Sequence, residues 1–140
     1  MAAKIICGFP GIGKSTVVQN NDKVIDLDSS GYSKIQTFPL NYIQAIIDAE
    51  NDGYEYILIS THASVRNLLQ TLGMKYTNVY PEIDLGEEYI ERYRERGSPE
   101  SFINFLEENW DDFIFELQYD ESDYIELEPG QFLSDVLKNI

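Results

Sequence analysis

The chain has 140 residues, of which 43% are apolar, and this size and composition predict one domain around one hydrophobic core. Its single cysteine, Cys7, excludes an intramolecular disulfide, and no apolar run approaches the roughly 20 residues that cross a bilayer. The formal net charge of −15 disfavours long nucleic acid and favours a small-molecule substrate, although solubility alone also explains it. We therefore expect a cytoplasmic, single-domain protein without a membrane partner.

Apolar runs of strand length alternate with stretches of helical periodicity along the whole chain. The predicted strands are, in order, Lys4–Phe9, Lys23–Asp28, Tyr54–Thr61, Tyr76–Tyr80 and Asp123–Glu128. The predicted helices start near Lys14, after a cap at Asn41, and then at Val65, Leu85, Ser98-Pro99 and Phe132. This alternation predicts an α/β fold with parallel strands and helices on both faces of the sheet. Ligands of such sheets bind at the carboxyl ends of the strands, so functional residues should follow the strands.

The segment after the first predicted strand, Gly8–Ser15, matches the pattern G-x-x-x-x-G-K-[ST] at every fixed position. Glycines let the backbone approach phosphates closely, and successive N–H groups at a helix N-terminus favour negative charge. We expect Lys14 to bridge the β- and γ-phosphates of a nucleoside triphosphate and the Ser15 hydroxyl to ligate Mg²⁺. The predicted nucleotide-binding residues are Gly8, Phe9, Pro10, Gly11, Ile12, Gly13, Lys14, Ser15 and Thr16.

Two aspartates close the second predicted strand. Asp26 and Asp28 are two residues apart and project from the same face of a strand, so both carboxylates can face the phosphate loop. Phosphoryl transfer uses a carboxylate as a base for an attacking hydroxyl or to hold the metal. We therefore predict that both aspartates join Ser15 at the metal and that Asp28 is catalytic. In the alternative, one aspartate caps the following turn and the other is solvated.

Polar residues follow the second and third predicted strands. The first group, Ser29, Ser30, Tyr32 and Lys34, lies where an acceptor substrate would bind, although a surface loop would have the same composition. The third strand ends without an acidic residue, in Ser60-Thr61-His62. His62, the single histidine, is therefore a further acceptor-binding candidate, and its alternative role is that of a neighbour to a helix cap.

Three arginines lie close together after the fourth predicted strand. Arg92 and Arg96 are four residues apart and share one helix face, whereas Arg94 points elsewhere. An arginine that neutralises the transferred phosphoryl group raises the rate by roughly 10³–10⁵-fold. We predict that Arg92 and Arg96 are catalytic and that Arg94 binds the acceptor. In the alternative, all three pair with neighbouring glutamates on a solvated helix.

With the segments GFPGIGKS, VIDLDSS and YIERYRERG in this order, the chain resembles the P-loop kinases of the nucleoside-monophosphate-kinase type over nearly its whole length. It is also similar to small phage or prophage P-loop proteins with a VID-x-DSS segment and an RY-x-x-RG…NWD-x-F run. The resemblance implies a P-loop NTPase three-layer sandwich with a five-stranded parallel sheet, one domain over residues 1–140 and an arginine-bearing lid at about 92–99. The absent acid after the third strand departs from this pattern and resembles shikimate or polynucleotide kinases.

The resemblance also implies Mg²⁺–ATP chemistry on Lys14, Ser15, Asp28, Arg92 and Arg96. We therefore expect an ATP- and Mg²⁺-dependent phosphotransferase whose acceptor is a nucleoside or deoxynucleoside monophosphate. One alternative is a kinase acting on hydroxyls of a polynucleotide or a modified base. Another is a non-catalytic protein that binds or sequesters nucleotides.

Overall fold

A computed structural model describes residues 3–140, and a parallel five-stranded sheet forms the centre of this part of the chain. The strands lie in the order β2-β3-β1-β4-β5. Their bounds are Lys4–Gly8 for β1, Val24–Asp26 for β2, Tyr56–Ile59 for β3, Tyr76–Pro81 for β4 and Asp123–Leu127 for β5. On the central strand, Ile6 lies opposite Leu58 of β3 and Thr77 of β4. The predicted α/β class and the five parallel strands are confirmed.

The connections between the strands are helical. The α-helices are α1 (Lys14–Asn20), α2 (Leu40–Asn51), α3 (Ala63–Thr71), α4 (Gly86–Glu95), α5 (Glu100–Gln118) and α6 (Leu133–Val136). Single 3₁₀ turns occur at Ser29–Gly31, Ile83–Leu85 and Leu137–Asn139. Within residues 3–140, no helix combines the length and apolar character required to cross a membrane.

Two hydrophobic clusters cover the two faces of the sheet, as side chains that alternate along each strand require. On one face, Ile6 and Leu58 pack with buried residues of α1, α4, α5 and α6. On the other face, Ile5, Cys7 and Ile57 pack with buried residues of α2 and α3. Helices therefore lie on both faces of the sheet, as the sequence predicts.

Several element ends differ from the predictions because side chains find other partners. Helix α2 begins at Leu40, and the Asn41 amide donates to the Tyr32 carbonyl at 3.2 Å instead of capping the helix. Helix α5 begins at Glu100, and the Ser98 hydroxyl accepts a hydrogen bond from Nε of Arg96. The predicted terminal helix is a short α-helix followed by a 3₁₀ turn.

The order of the strands places one crevice at the carboxyl end of β1. The chain leaves β1 through α1 toward β2 on one side, and β4 pairs with β1 on the other side. The connections on the two sides of β1 thus run in opposite directions, and ligands of open α/β sheets bind at such a point. The Gly8–Ser15 segment lies at this point.

Candidate functional site

The phosphate loop connects the end of β1 to the first residue of α1. Its backbone conformation requires glycine at two positions, because Gly11 has φ 90° and Gly13 has φ 93°. Gly13 directly precedes α1, and no side chain caps this helix. The loop is thus shaped by its main chain rather than by its side chains.

The N–H groups at the start of α1 are available to a ligand. Within residues 3–140, the backbone N–H groups of Gly13, Lys14, Ser15 and Thr16 donate to no protein acceptor. The first intrahelical bond of this turn is the one from Val17 to the Gly13 carbonyl, at 3.3 Å. Consecutive unpaired N–H groups at a helix N-terminus form a site for an anion such as a phosphate.

Lys14 lies folded back along the same loop. Its Nζ donates to the Gly8 carbonyl at 2.9 Å. Burial lowers the pKa of Lys14, while the negative charge of Asp26 opposes this shift. A Cβ atom on Gly8 would lie 2.8 Å from Cδ of Lys14, so the glycine makes room for the lysine side chain. The ammonium group is therefore held at the loop, where the charge of Asp26 favours its protonated form.

Arg92 supports the loop from the side of α4. Its guanidinium donates to the Gly11 carbonyl at 2.8 Å and pairs with Glu88 at 2.8 Å. The same group lies 4.1 Å from the ring centroids of both Tyr89 and Phe132. These partners occupy the guanidinium and place it against the loop, and the catalytic role of Arg92 stays a prediction.

Arg96 and Arg94 have different surroundings although both belong to the predicted lid. The Arg96 guanidinium lies 4.9 Å from the ring centroid of Tyr93 and 5.7 Å from that of Phe102, and its charge helps to lower the pKa of Lys14. Arg94 is half exposed, lies 4.0 Å from Glu91 and lines a separate groove between α4 and α5. Arg96 therefore packs on Tyr93, whose hydroxyl donates to the Pro10 carbonyl of the loop at 2.8 Å, whereas Arg94 does not line the cleft described below.

The two predicted aspartates are also not equivalent. Oδ1 of Asp28 accepts a hydrogen bond from the Ser30 N–H at 3.0 Å, and hydrogen bonding from Ser30 lowers the pKa of Asp28. Asp28 therefore caps the following 3₁₀ turn, which is the alternative raised for one of the pair. Within residues 3–140, no hydrogen bond is formed to the carboxylate of Asp26, and desolvation raises its pKa although the charge of Lys14 opposes this shift.

These side chains fit Mg²⁺ bound together with nucleotide phosphates. Mg²⁺ is commonly held by one or two carboxylates plus substrate phosphates and retains several waters. The exposed Ser15 in the first turn of α1 and the unpaired Asp26 carboxylate supply such oxygens. Among residues 3–140, no group of three or more His, Cys, Asp or Glu side chains gathers around one point.

A cleft of about 520 Å³ opens beside the phosphate loop. This volume is typical of a small-molecule pocket. One end is polar and contains Lys14 and residues that follow β2 and β3, namely Ser29, Ser60, Thr61 and His62. The opposite wall is contributed by α5 and is mainly apolar, with Phe102, Phe105, Leu106, Phe113 and Leu117.

A hydrogen-bonded chain of side chains forms the polar end of the cleft. The Ser60 hydroxyl donates to Oγ of Ser29 at 3.0 Å, and Oγ of Ser29 lies 3.0 Å from Nε2 of His62. The His62 ring packs edge-on against Phe38, and burial lowers its pKa. A histidine with a lowered pKa is neutral at pH 7 and can accept a proton. Ser29 and His62, predicted separately, thus belong to one group.

The other predicted acceptor residues lie away from the cleft. Ser30 is exposed and bonds to Asp28, and Lys34 is exposed. Tyr32 packs edge-on against Tyr42 with a centroid distance of 5.2 Å. The segment after β2 folds over α2, so Ser29 alone of this group lines the cleft.

Arg66 lies in the floor of the cleft and is not among the residues predicted from the sequence. Its side chain is 4% exposed and pairs with Glu116 at 2.6 Å and with Asp120 at 3.2 Å. Its Nε donates to the Thr61 carbonyl at 3.3 Å. Both acidic partners are at least 50 positions away in the sequence, so no local pattern indicates this network.

Two comparisons with known proteins found no match for this chain. No protein-family model matches the chain. A search of curated proteins finds no significant match.

Proposed function

We propose that this protein is a P-loop kinase, a Mg²⁺- and ATP-dependent phosphotransferase that moves the γ-phosphoryl group to a small acceptor in the adjoining cleft. The observation that carries the proposal is the set of unpaired N–H groups from Gly13 to Thr16 beside Lys14, at the carboxyl end of the central strand. Backbone donors and a lysine in this arrangement suit the phosphates of a nucleoside triphosphate.

On the donor side, the loop amides and Lys14 bind the phosphates. Ser15 and Asp26 would hold Mg²⁺, which when bound supplies charge neutralisation on the phosphate oxygens. Nζ of Lys14 leaves the Gly8 carbonyl and turns to the phosphates, since that neutral acceptor is the weaker partner. Most of the rate enhancement then comes from positioning and from preorganised positive charge.

Arg92 of α4 and Arg96, which directly follows that helix, have separate roles in this proposal. Arg92 is a positioning residue that keeps the Gly11 carbonyl turned out of the phosphate site. Arg96, at the junction of the loop and the cleft, stabilises charge on the transferring group. The connection between α4 and α5, residues 96–99, is short, so Arg96 needs little movement of a lid to act.

The proposal is tested by separating binding from transfer. Calorimetric titration of the purified protein with ATP and Mg²⁺ measures binding. ATP labelled at its γ-phosphate then measures transfer to nucleosides, nucleoside monophosphates and a 5′-hydroxyl oligonucleotide. We expect binding and transfer to at least one small acceptor. Binding without any transfer would favour the non-catalytic nucleotide-binding protein, and absence of binding would overturn the proposal altogether.

A further inference from the structure

Within the described residues, the acceptor side of the cleft offers no unpaired positive charge. Among residues 3–140, Lys14 and Arg66 are the cationic side chains that line the cleft. Glu116 and Asp120 already neutralise Arg66. All three of its guanidinium nitrogens have protein partners. In the proposed function, Lys14 and Arg96 serve the donor phosphates. A second phosphate, on the acceptor, would therefore meet no unpaired cation.

Glu116 makes a phosphate at this position still less favourable. Its carboxylate lines the cleft, and its side chain is 47% exposed although it pairs with Arg66. A phosphate monoester carries between one and two negative charges at pH 7. Repulsion by Glu116 and the lack of a free cation both select against a monophosphate and for a neutral acceptor.

The wall formed by α5 suits a planar ring. Phe105 is 54% exposed although it belongs to the same helix as the buried core residues, and it packs against Phe113 with a centroid distance of 5.4 Å. Phe102 continues this wall toward Arg96. Aromatic side chains stack on nucleobases with little dependence on the base. The wall therefore recognises an aromatic ring rather than a sugar or a flexible alcohol.

The opposite end of the cleft suits a hydroxyl group. The chain from Ser60 to Ser29 ends at Nε2 of His62, and all three residues line the cleft near Lys14. Asp28, which the sequence indicated as the base, is occupied by Ser30 and does not line the cleft. His62 is thus the basic side chain that an acceptor in this cleft meets, and its neutral form can accept a proton.

We propose that the acceptor is a neutral nucleoside, stacked on Phe105, whose hydroxyl transfers its proton to Nε2 of His62. This inference rests on the proposed kinase function and names its substrate class. As the hydroxyl oxygen forms a bond to the γ-phosphorus, the bond from that phosphorus to the β–γ bridging oxygen breaks. The products are a nucleoside monophosphate and ADP, and the proton passes to His62 directly or through the Ser29 hydroxyl.

The decisive experiment compares each nucleoside with its own 5′-monophosphate. Transfer from γ-labelled ATP is measured with the full-length protein, and binding of ATP with Mg²⁺ is measured separately by calorimetry. We expect kcat/KM to be at least about tenfold higher for the nucleoside than for the monophosphate. A preference for the monophosphate, transfer to a 5′-hydroxyl oligonucleotide alone, or ATP binding without transfer to any nucleoside would overturn the inference. Absence of ATP binding, or ATP binding without transfer to any acceptor, would also overturn the kinase function.

Two variants on one helix test the stacking wall. Phe105→Ala removes a cleft residue and should raise KM for the nucleoside by about tenfold, as expected for loss of one stacking partner. Phe115→Ala is the matched control, because Phe115 is also exposed on α5, at 44%, and does not line the cleft. Equal KM values for the two variants would contradict the assigned wall.

His62→Gln tests the proton acceptor. This change should lower kcat by about 10²-fold while KM for the nucleoside and the affinity for ATP stay near wild type. A thermal melt establishes that the variant is folded. A purely structural role would instead change the melting temperature and KM together, and an unchanged kcat would exclude His62 as the base.

Discussion

The Gly8–Ser15 loop and the adjoining cleft share the carboxyl end of β1, but different parts of the chain form them. The loop is one continuous segment whose shape comes from glycine backbone conformations and whose donors are main-chain N–H groups. The cleft collects side chains that follow β2 and β3 and faces the side chains of α5. A main-chain site depends on a few residue types at fixed spacing, whereas a side-chain site depends on how distant elements pack.

The two regions also differ in whether their positive groups are already paired. The loop offers unpaired donors and a lysine to an anion. The cleft neutralises its buried Arg66 with Glu116 and Asp120 and adds an aromatic wall. Our proposal accordingly assigns a charged ligand to the loop and an uncharged ligand to the cleft. The following changes test this contrast, beginning with the one that should matter most.

Lys14→Ala should abolish turnover and weaken binding of ATP with Mg²⁺ by at least about 10²-fold, because the phosphates lose their nearest cation. Calorimetry and the transfer assay measure the two effects. Lys75→Ala is the matched control, since Lys75 is an exposed lysine near the opposite end of the sheet. Wild-type activity in Lys14→Ala, with the fold preserved by circular dichroism, would contradict the assignment of the loop.

Arg96→Ala should reduce kcat by about 10³-fold with little change in the affinity for ATP, because its charge acts on the transferring group. Steady-state kinetics and calorimetry separate the two effects. Arg94→Ala, which removes an exposed arginine from the same region, should leave both unchanged. Equal losses of kcat and affinity in Arg96→Ala would show that Arg96 only binds the ground state.

Asp120→Ala should lower the free energy of unfolding by about 3 kcal/mol, because it leaves the buried guanidinium of Arg66 with one acidic partner. Tyr76 and Asn78 also lose their hydrogen bonds to this carboxylate, at 2.7 and 2.8 Å. Denaturation by urea measures the change. Glu121→Ala, one position along and exposed, should change stability by less than about 0.5 kcal/mol.

Gly11→Ala should destabilise the protein by about 1–3 kcal/mol and weaken ATP binding. Gly11 has φ 90°, and an added Cβ would lie 2.9 Å from the Tyr93 ring. Gly53→Ala is matched in backbone strain, with φ 94°, but has no atom within 4 Å of its Cβ position. A larger loss of stability in Gly11→Ala than in Gly53→Ala, with weaker ATP binding only in Gly11→Ala, would show that contact with α4 adds to backbone strain.

The weakest effect that we expect is the dependence of stability on pH through Asp120. Burial would raise the pKa of this carboxyl, but hydrogen bonds from Tyr76 and Asn78 and the charge of Arg66 lower it below its ordinary value of 3.8. A lowered folded pKa stabilises the protein above the unfolded pKa, and this contribution is lost as the pH falls through the folded pKa. The difference in stability between wild type and Asp120→Asn should therefore be constant near neutrality and shrink below about pH 4. A difference that grows on acidification would contradict this ionisation.

The sequence predicts the sheet and the loop well because both depend on local patterns. Apolar runs and helical periodicity locate all five strands, and the Gly8–Ser15 pattern falls on the segment between β1 and the first turn of α1. The partner of each polar side chain is less predictable. Asp28 is occupied by Ser30, and Arg92 reaches a carbonyl 81 positions away. The contact of Asp28 is local and is one of two alternatives that the sequence leaves open, whereas that of Arg92 has no signature in the sequence near it.

The acceptor side depends still more on tertiary packing. The residues of α5 that line the cleft have a helical periodicity that also predicts ordinary core packing. Phe105 becomes part of a wall only because α5 lines the same cleft as the residues that follow β1 and β3. The charge of Arg66 is neutralised only because Glu116 of α5 and Asp120, just after that helix, lie beside it. These roles follow from the packing of distant elements and require the structure.

Backbone amide spectra of isotope-labelled protein, recorded with and without saturating ADP and Mg²⁺, are the most direct test of the phosphate site. We expect the largest shifts at the N–H groups of Gly13, Lys14, Ser15 and Thr16, which donate to no protein acceptor in the described chain. The amides around Gly53 and Gly73, in exposed turns remote from the loop, should not move. Shifts concentrated elsewhere, or none at all at millimolar nucleotide, would contradict a phosphate site at this loop.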